Sequence, residues 1–358
     1  MFFLTLLSLL LALPIGGTPS VTAILVAAQE EQFRERQVLD PDKDDWVTTP
    51  VEAGTVVAEL EQARSLLARG EFKPALKILK PWTEQNFDHE RYYEAVYLLG
   101  ECYFQKPDFY QAYLNFDIVA DATSGDLFHK AIRRQMDVAR AFLAGQKRIF
   151  WGFLRIPAYD DGLEILDRVW QRVPGTRAGE ESLKTKADYQ FENGEMDLAQ
   201  DEYANLAKQY PSGRWITLAT LRSAEAAASS FGGPRFDDRP LIDADDRYRE
   251  FKRLFPGPAD REGIDQRLEA IRNQRAAKDY DIANWYERTK QIDSAGYYYR
   301  LILKDWPGTP AALDATARLR ALGLAEETSP QPRIAPPATM PDSQPAESKA
   351  SEESDNGN

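Results

Sequence analysis

The 358-residue chain has one cysteine, two histidines and no lysine or arginine before Arg34. A single thiol, Cys102, makes no internal disulfide and supports no zinc-ligand pattern. Placed beside Gly100, it is expected as a buried small hydrophobe. His89 and His129 lie far apart and outside any metal-ligand spacing, so both are expected as ordinary surface or boundary residues. A phosphate-cradling Gly-rich loop, a G-x-S-x-G elbow and an H-E-x-x-H helix are all missing. Adjacent carboxylates such as Asp160-Asp161, Asp237-Asp238 and Asp245-Asp246 are expected by chance among 57 acidic residues. The expectation is therefore no catalytic residue, no metal and no cofactor. Cations are also outnumbered, 44 against 57, for a net charge of −13. Such a chain repels nucleic acid and anionic lipid, which sets nucleic-acid binding aside.

Hydrophobic residues reach 43%, enough for a packed core, and they are unevenly placed. Phe2–Leu13 is almost wholly apolar, Pro14, Gly16 and Gly17 interrupt it, and Val21–Ala28 is apolar again. Val26-Ala27-Ala28 sets small residues before a cleavage point, so residues 1–28 are expected as an export signal. Two features fit that poorly: the missing positive charge and the length. An uncleaved anchor is the rival, although the proline and glycines interrupt the roughly twenty apolar residues that a spanning helix needs. No cysteine precedes Cys102, so acylation at the cleavage point is not expected. Residues 29–54 are expected as a polar linker. Residues 325–358, rich in Pro, Ser, Glu and Asp and without aromatics, are expected as a disordered acidic tail.

Within 55–324 a repeat appears. A small residue is followed twelve positions later by alanine in Ala63/Ala75, Gly100/Ala112, Ala187/Ala199 and Ala283/Ala295. A large residue follows the first member at three positions (Leu66, Tyr103, Gln190, Tyr286) and the second at four (Leu79, Phe116, Tyr203, Tyr299). Turns sit midway at Arg69-Gly70, Asn193-Gly194 and Lys290-Gln291, and units end in Tyr210-Pro211 and Trp306-Pro307. Small residues let antiparallel helices approach closely, bulky ones fill the space to the next pair, and proline stops the second helix. This is the tetratricopeptide pattern. Two further units look stretched: 131–145 with 160–173, interrupted at 147–157, and 218–230 with 243–254, interrupted at 232–240. Pro310–Leu322 reads as a closing helix, as solenoids require. The predicted fold is an all-α right-handed solenoid of about six helical hairpins. Strand signals are confined to an ambiguous run at Ile149–Ile156.

The stretches Ile282–Arg288, Asp293–Arg300 and Lys304–Thr309 resemble the BamD (YfiO) outer-membrane assembly lipoproteins, in which a tyrosine-bearing helix, a short turn and an alanine-aromatic-arginine helix end in an aromatic-proline step. Residues 199–213 look similar, as do 57–120 in outline. The resemblance implies a helical scaffold at the periplasmic face of the outer membrane that contacts a BamA-like partner and receives unfolded barrel proteins, with no cofactor. The missing acylated cysteine and the insertions at 147–157 and 232–240 depart from that family. Other envelope tetratricopeptide proteins, such as the division coordinator CpoB, are similar enough to keep a periplasmic adaptor for cell-wall or division machinery open; a separate alternative, from another class, is a non-catalytic subunit of an enzyme complex.

Partner binding is expected on the first helix of each hairpin, where extended partners dock in solenoids. Tyr92 and Tyr93, with Tyr97 and Tyr103, fall on one such helix, Tyr189 and Gln190 on another, and Trp285, Tyr286 and Arg288 on a third. These are hot-spot residue types, and the competing expectation is that most of the aromatics fill the space between hairpins. Arg288 is the least easily buried. The apolar insertion Arg148–Ile156, with Trp151 and Phe153, is expected to fold back over the helices. The alternative is a finger that docks a partner or makes peripheral membrane contact through 148–156.

Overall fold

The computed structural model describes the backbone of residues 35–40 and 45–50, and residues 55–324 apart from 152 and 235. The expected export signal (1–28) and the expected acidic tail (325–358) lie outside the described residues. Within the stretch expected as a linker, β1 (Glu35–Asp40) and β2 (Asp45–Pro50) pair antiparallel, with Val38 opposite Val47. Val38-Leu39 and Trp46-Val47-Thr48-Thr49 supply the β-branched and aromatic residues that favour extended backbone.

The helices form six hairpins and a closing helix. They are α1 (Val56–Ala68) with α2 (Phe72–Gln85), α3 (Tyr92–Gln105) with α4 (Phe109–Ala122), and α5 (Gly125–Leu143) with α6 (Tyr159–Arg172). Next come α7 (Arg177–Glu192) with α8 (Met196–Gln209), and α9 (Ile216–Ser229) with α10 (Arg239–Leu254). A six-residue α11 (Pro256–Arg261) precedes α12 (Ile264–Arg288), which pairs with α13 (Ile292–Asp305), and α14 (Pro310–Ala321) closes the series. The chain divides into two compact units at Arg275/Ala276. Helix α12 contributes to both, and the pattern of small residues had marked only its end. Its first part carries Ile264, Leu268 and Ile271 at helical spacing, packed into the core shared with α9 and α10, but no small-residue pair marks it.

The alanine pairs do what their spacing requires. Seven of the eight small residues have no exposed surface, and the eighth, Gly100, is also buried. All four bulky residues that follow on the second helices, Leu79, Phe116, Tyr203 and Tyr299, are buried too. Gly100 shows why a small residue is needed: a methyl group there would lie 2.7 Å from the Phe116 ring. Gly70, Gly194 and Lys290 occupy the corresponding turns with φ of 77°, 78° and 65°. Glycine takes that conformation without penalty, whereas lysine pays of the order of 1 kcal/mol.

The stops are equally regular. Val173, Tyr210, Phe255 and Trp306 each precede a proline and each end a helix with φ near −128° and ψ of 48–65°. The proline ring disfavours helical backbone in the residue before it. Starts are capped by threonine at Thr55, Thr176 and Thr309, whose hydroxyls accept from Ala58, Gly179 and Ala312 N–H, worth about 1 kcal/mol each.

The insertion at 147–157 is a second strand pair, β3 (Lys147–Phe150) with β4 (Leu154–Pro157). Among the described residues, the strands are confined to two two-stranded ladders. None of the described helices is long and apolar enough to cross a membrane.

Candidate functional site

The structure distributes the aromatic candidates over four places. Tyr92 is half-buried and packs against the cores of both the first and second hairpins. Tyr93 stands edge-on to it, ring centres 5.2 Å apart. Tyr97 leans on Phe116 at 5.4 Å. Tyr189 stacks on Tyr159 at 6.2 Å, and Gln190 beside it is buried. Tyr92 and Tyr97 thus pack against the core between helices, whereas the ring on which Tyr189 stacks, Tyr159, is exposed.

Trp285, Tyr286 and Arg288 stand together at the end of α12. Trp285 is exposed and packs edge-on to Tyr286, which stacks on Tyr298 at 5.1 Å and 11°. Tyr298 in turn meets the exposed Tyr297 of α13. Four aromatics thus make one continuous surface, two of them from α13, which the sequence pattern had left aside. The neighbouring Tyr286 ring raises the Tyr298 phenol above its ordinary range. Arg288 is exposed and makes no ion pair among the described residues.

The insertion corrects the expectation that it folds back. Trp151 is 78% exposed and Phe153 79%, at the tip of the β3–β4 hairpin, flanked by the less exposed Phe150 and Leu154. Only its base is tied down: the Arg148 guanidinium lies 3.4 Å from the Tyr110 ring centre and pairs with Asp161 at 3.0 Å. A two-stranded ribbon of four residues per strand is too short to return its tip to the helices. Apolar composition alone had suggested burial.

A concavity built from several elements lies elsewhere, on the first helices. It encloses about 940 Å³ between Tyr97 of α3, one face of α5, the start of α7 and the turn before α9. Six cations line it: Lys130, Arg133, Arg134, Arg140, Arg177 and Arg214. Asp137 and Glu181 are the lining carboxylates, and Tyr97, Met136 and Ala178 supply apolar floor. The α5 residues fall at intervals of three and four, the spacing that puts side chains on one helix face. That stripe was legible in the sequence, but Arg177 and Arg214 join it only through the fold.

Charges in the cleft are held unequally. Arg134 makes a two-pronged contact with Glu101, at 2.6 and 2.8 Å. Burial works against the Arg134 charge, but the hydrogen bonds and charge of Glu101 outweigh it and raise its pKa. Burial and then Glu101 raise the Tyr97 phenol. Glu181 is shared by Arg214 at 3.4 Å, Arg140 at 3.6 Å and the Trp215 indole N–H at 3.1 Å. Lys130 pairs with Asp126. Arg133 and Arg177 are exposed and form no ion pair among the described residues. A second, smaller hollow of about 660 Å³ lies between α8, α9 and α10.

Several other polar residues named above are engaged within the fold. Asp161, Asp238 and Asp245 each take an arginine, respectively Arg148, Arg275 and Arg249. His89 packs edge-on to Trp82. Cys102 is buried, and burial followed by the Glu101 charge pushes its thiol up to about 12. Only the thiolate reacts, so at pH 8 about one molecule in ten thousand is reactive. An aromatic disulfide reagent is expected to leave Cys102 unlabelled in the native protein and to label one equivalent after unfolding; rapid native labelling would contradict this burial.

No family model matches the chain, and no curated protein matches it in sequence. Similar solved structures do exist. One is the C-terminal part of a TPR repeat-containing protein from Cytophaga hutchinsonii, 12% identical, with 74% of this chain and 88% of that one covered and a TM-score of 0.36. Another is a thermophilic TPR protein from Thermus thermophilus, 16% identical, with 61% and 98% covered and a TM-score of 0.26.

Proposed function

We propose that this protein is an exported scaffold that binds other proteins along the first-helix face of its hairpins, without catalysing a reaction. The observation that carries this is the open cleft bridging the first helices of successive hairpins. A binding surface of that kind is assembled by repetition and lets an extended partner touch several repeats at once. The aromatic surface of Trp285, Tyr286, Tyr297 and Tyr298 and the exposed tip of Trp151 and Phe153 add large, rigid side chains of the types that dominate interface energetics.

The finer assignment is to outer-membrane protein assembly, with a BamA-like component or unfolded barrel proteins as partners and a periplasmic location. It is supported by the resemblance of residues 282–309 to BamD-like proteins and by the apolar composition of residues 1–28. Crosslinked affinity capture from envelope extracts tests it, comparing wild type with a Tyr286→Ala, Arg288→Glu double variant. A barrel-assembly protein recovered by wild type and lost by the variant is the expected result. Recovery of cell-wall or division proteins instead would replace this assignment with the adaptor alternative.

A further inference from the structure

The cleft on the first helices has a charge opposite to that of the chain. Six cations and two carboxylates line it in a protein of net charge −13. A random patch of this chain would be acidic, so the concentration of guanidinium groups selects for a ligand of one sign. We propose that the cleft binds an extended, carboxylate-rich segment of another protein. This inference rests on the scaffold function proposed above and names the chemistry of its partner.

Three considerations favour a peptide over other anions. The first is length. The cations come from α5, the start of α7 and the turn before α9, three successive rows of first helices. Neighbouring helices pack about 8–10 Å apart, so the rows span roughly 20 Å. A strand rising about 3.3 Å per residue covers that distance in about six residues. A single small anion would meet only one row.

The second is the mixed lining. Tyr97, Met136 and Ala178 offer apolar surface beneath the charges. Partly exposed ion pairs contribute little individually and are screened by salt. A ligand therefore needs several carboxylates together with apolar atoms, which a polypeptide supplies and a simple inorganic anion does not.

The third is the state of the cations. Arg133 and Arg177 have no ion-pair partner among the described residues, and Glu181 is divided between Arg140 and Arg214 at 3.6 and 3.4 Å. Each guanidinium carries five donors in a planar fork suited to carboxylates. Long nucleic acids meet the same donors but also the repulsion of a net −13 chain, which grows with the length of the polyanion.

Fluorescence anisotropy of the full chain at low salt provides the test. The probe is a labelled twelve-residue peptide of alternating glutamate and serine. Controls are the matching glutamine-serine peptide and a single-stranded oligothymidylate of equal charge. The acidic peptide is expected to bind at least tenfold more tightly than the glutamine peptide. Binding should fall at least tenfold in an Arg133→Glu, Arg177→Glu variant, both positions being exposed. A Lys73→Glu, Lys77→Glu variant, equal in charge change but on α2 away from the cleft, should bind normally. Thermal melts of both variants should match wild type. Equal binding of both peptides, indifference to Arg133 and Arg177, or tighter binding of the oligothymidylate would overturn the proposal. Crosslinking of proteins to the cleft together with failure of the acidic peptide would retire the acidic class and leave the scaffold function standing.

Discussion

Replacing Phe116 with alanine is expected to cost about 3–5 kcal/mol, as for other fully buried phenylalanines. The ring has no exposed surface and packs against Gly100 of α3 so closely that a methyl at that glycine would lie 2.7 Å away. It also supports Tyr97, which lines the cleft. Removing it leaves a cavity where α3 and α4 cross, and Gly100 offers no side chain to fill it. A core of this kind is shared with α5 and α6 through Phe142, Ile165 and Val169. Hydrogen exchange should therefore rise across residues 92–173, and the apparent melting point should fall on the order of 10 °C. A fall of only a degree or two would show that the hairpins repack and that the small-large pairing is not a stabilising device.

Trp82→Ala is expected to cost a similar amount, about 3–5 kcal/mol, but to act locally. Trp82 is buried in the first hairpin, and its indole N–H donates to the Val56 carbonyl at 2.8 Å, fixing the end of α2 to the start of α1. Its cluster reaches only as far as α3. In repeat arrays each unit draws stability from its neighbours, so loss in the first helical hairpin should melt it without disturbing hairpins further along. Exchange should rise across 56–105 and stay near wild type beyond α4. The two variants together measure how cooperativity is divided: equal spreading of both would contradict a nearest-neighbour array.

Much of this fold was legible from steric need. Ala63/Ala75 and Ala187/Ala199 stand out because two helix backbones approach closely only where side chains are small, and Tyr210-Pro211 and Trp306-Pro307 because proline fixes the residue before it. The β1–β2 pair was not read, since its short runs around Val38 and Trp46 sit among charged residues, and the Asp40-Pro41-Asp42 turn signal between them also suits a linker. Helix α12 was recognised only from Ala283 onward, where small-residue spacing begins. The site was less legible than the fold. Tyr92 has the chemistry of a binding residue, but the same bulk suits it to fill space between helices. Trp151 and Phe153 have the chemistry of a core, yet a short ribbon holds them out in solvent. The basic cleft joins Lys130–Arg140 to Arg177 and Arg214, whose proximity is created by stacking the hairpins and is invisible along the chain.

Site-specific photocrosslinking in the producing cell addresses the central claim most directly. A photoreactive residue would be placed at Lys130 or Ala178, which line the cleft while leaving Arg133 and Arg177 in place, and at Lys77 on α2 as the reference. Discrete protein adducts at 130 and 178, absent at 77, are the predicted result. Absence of adducts at both cleft positions, or the same pattern at all three, would contradict a scaffold that works through its first-helix face.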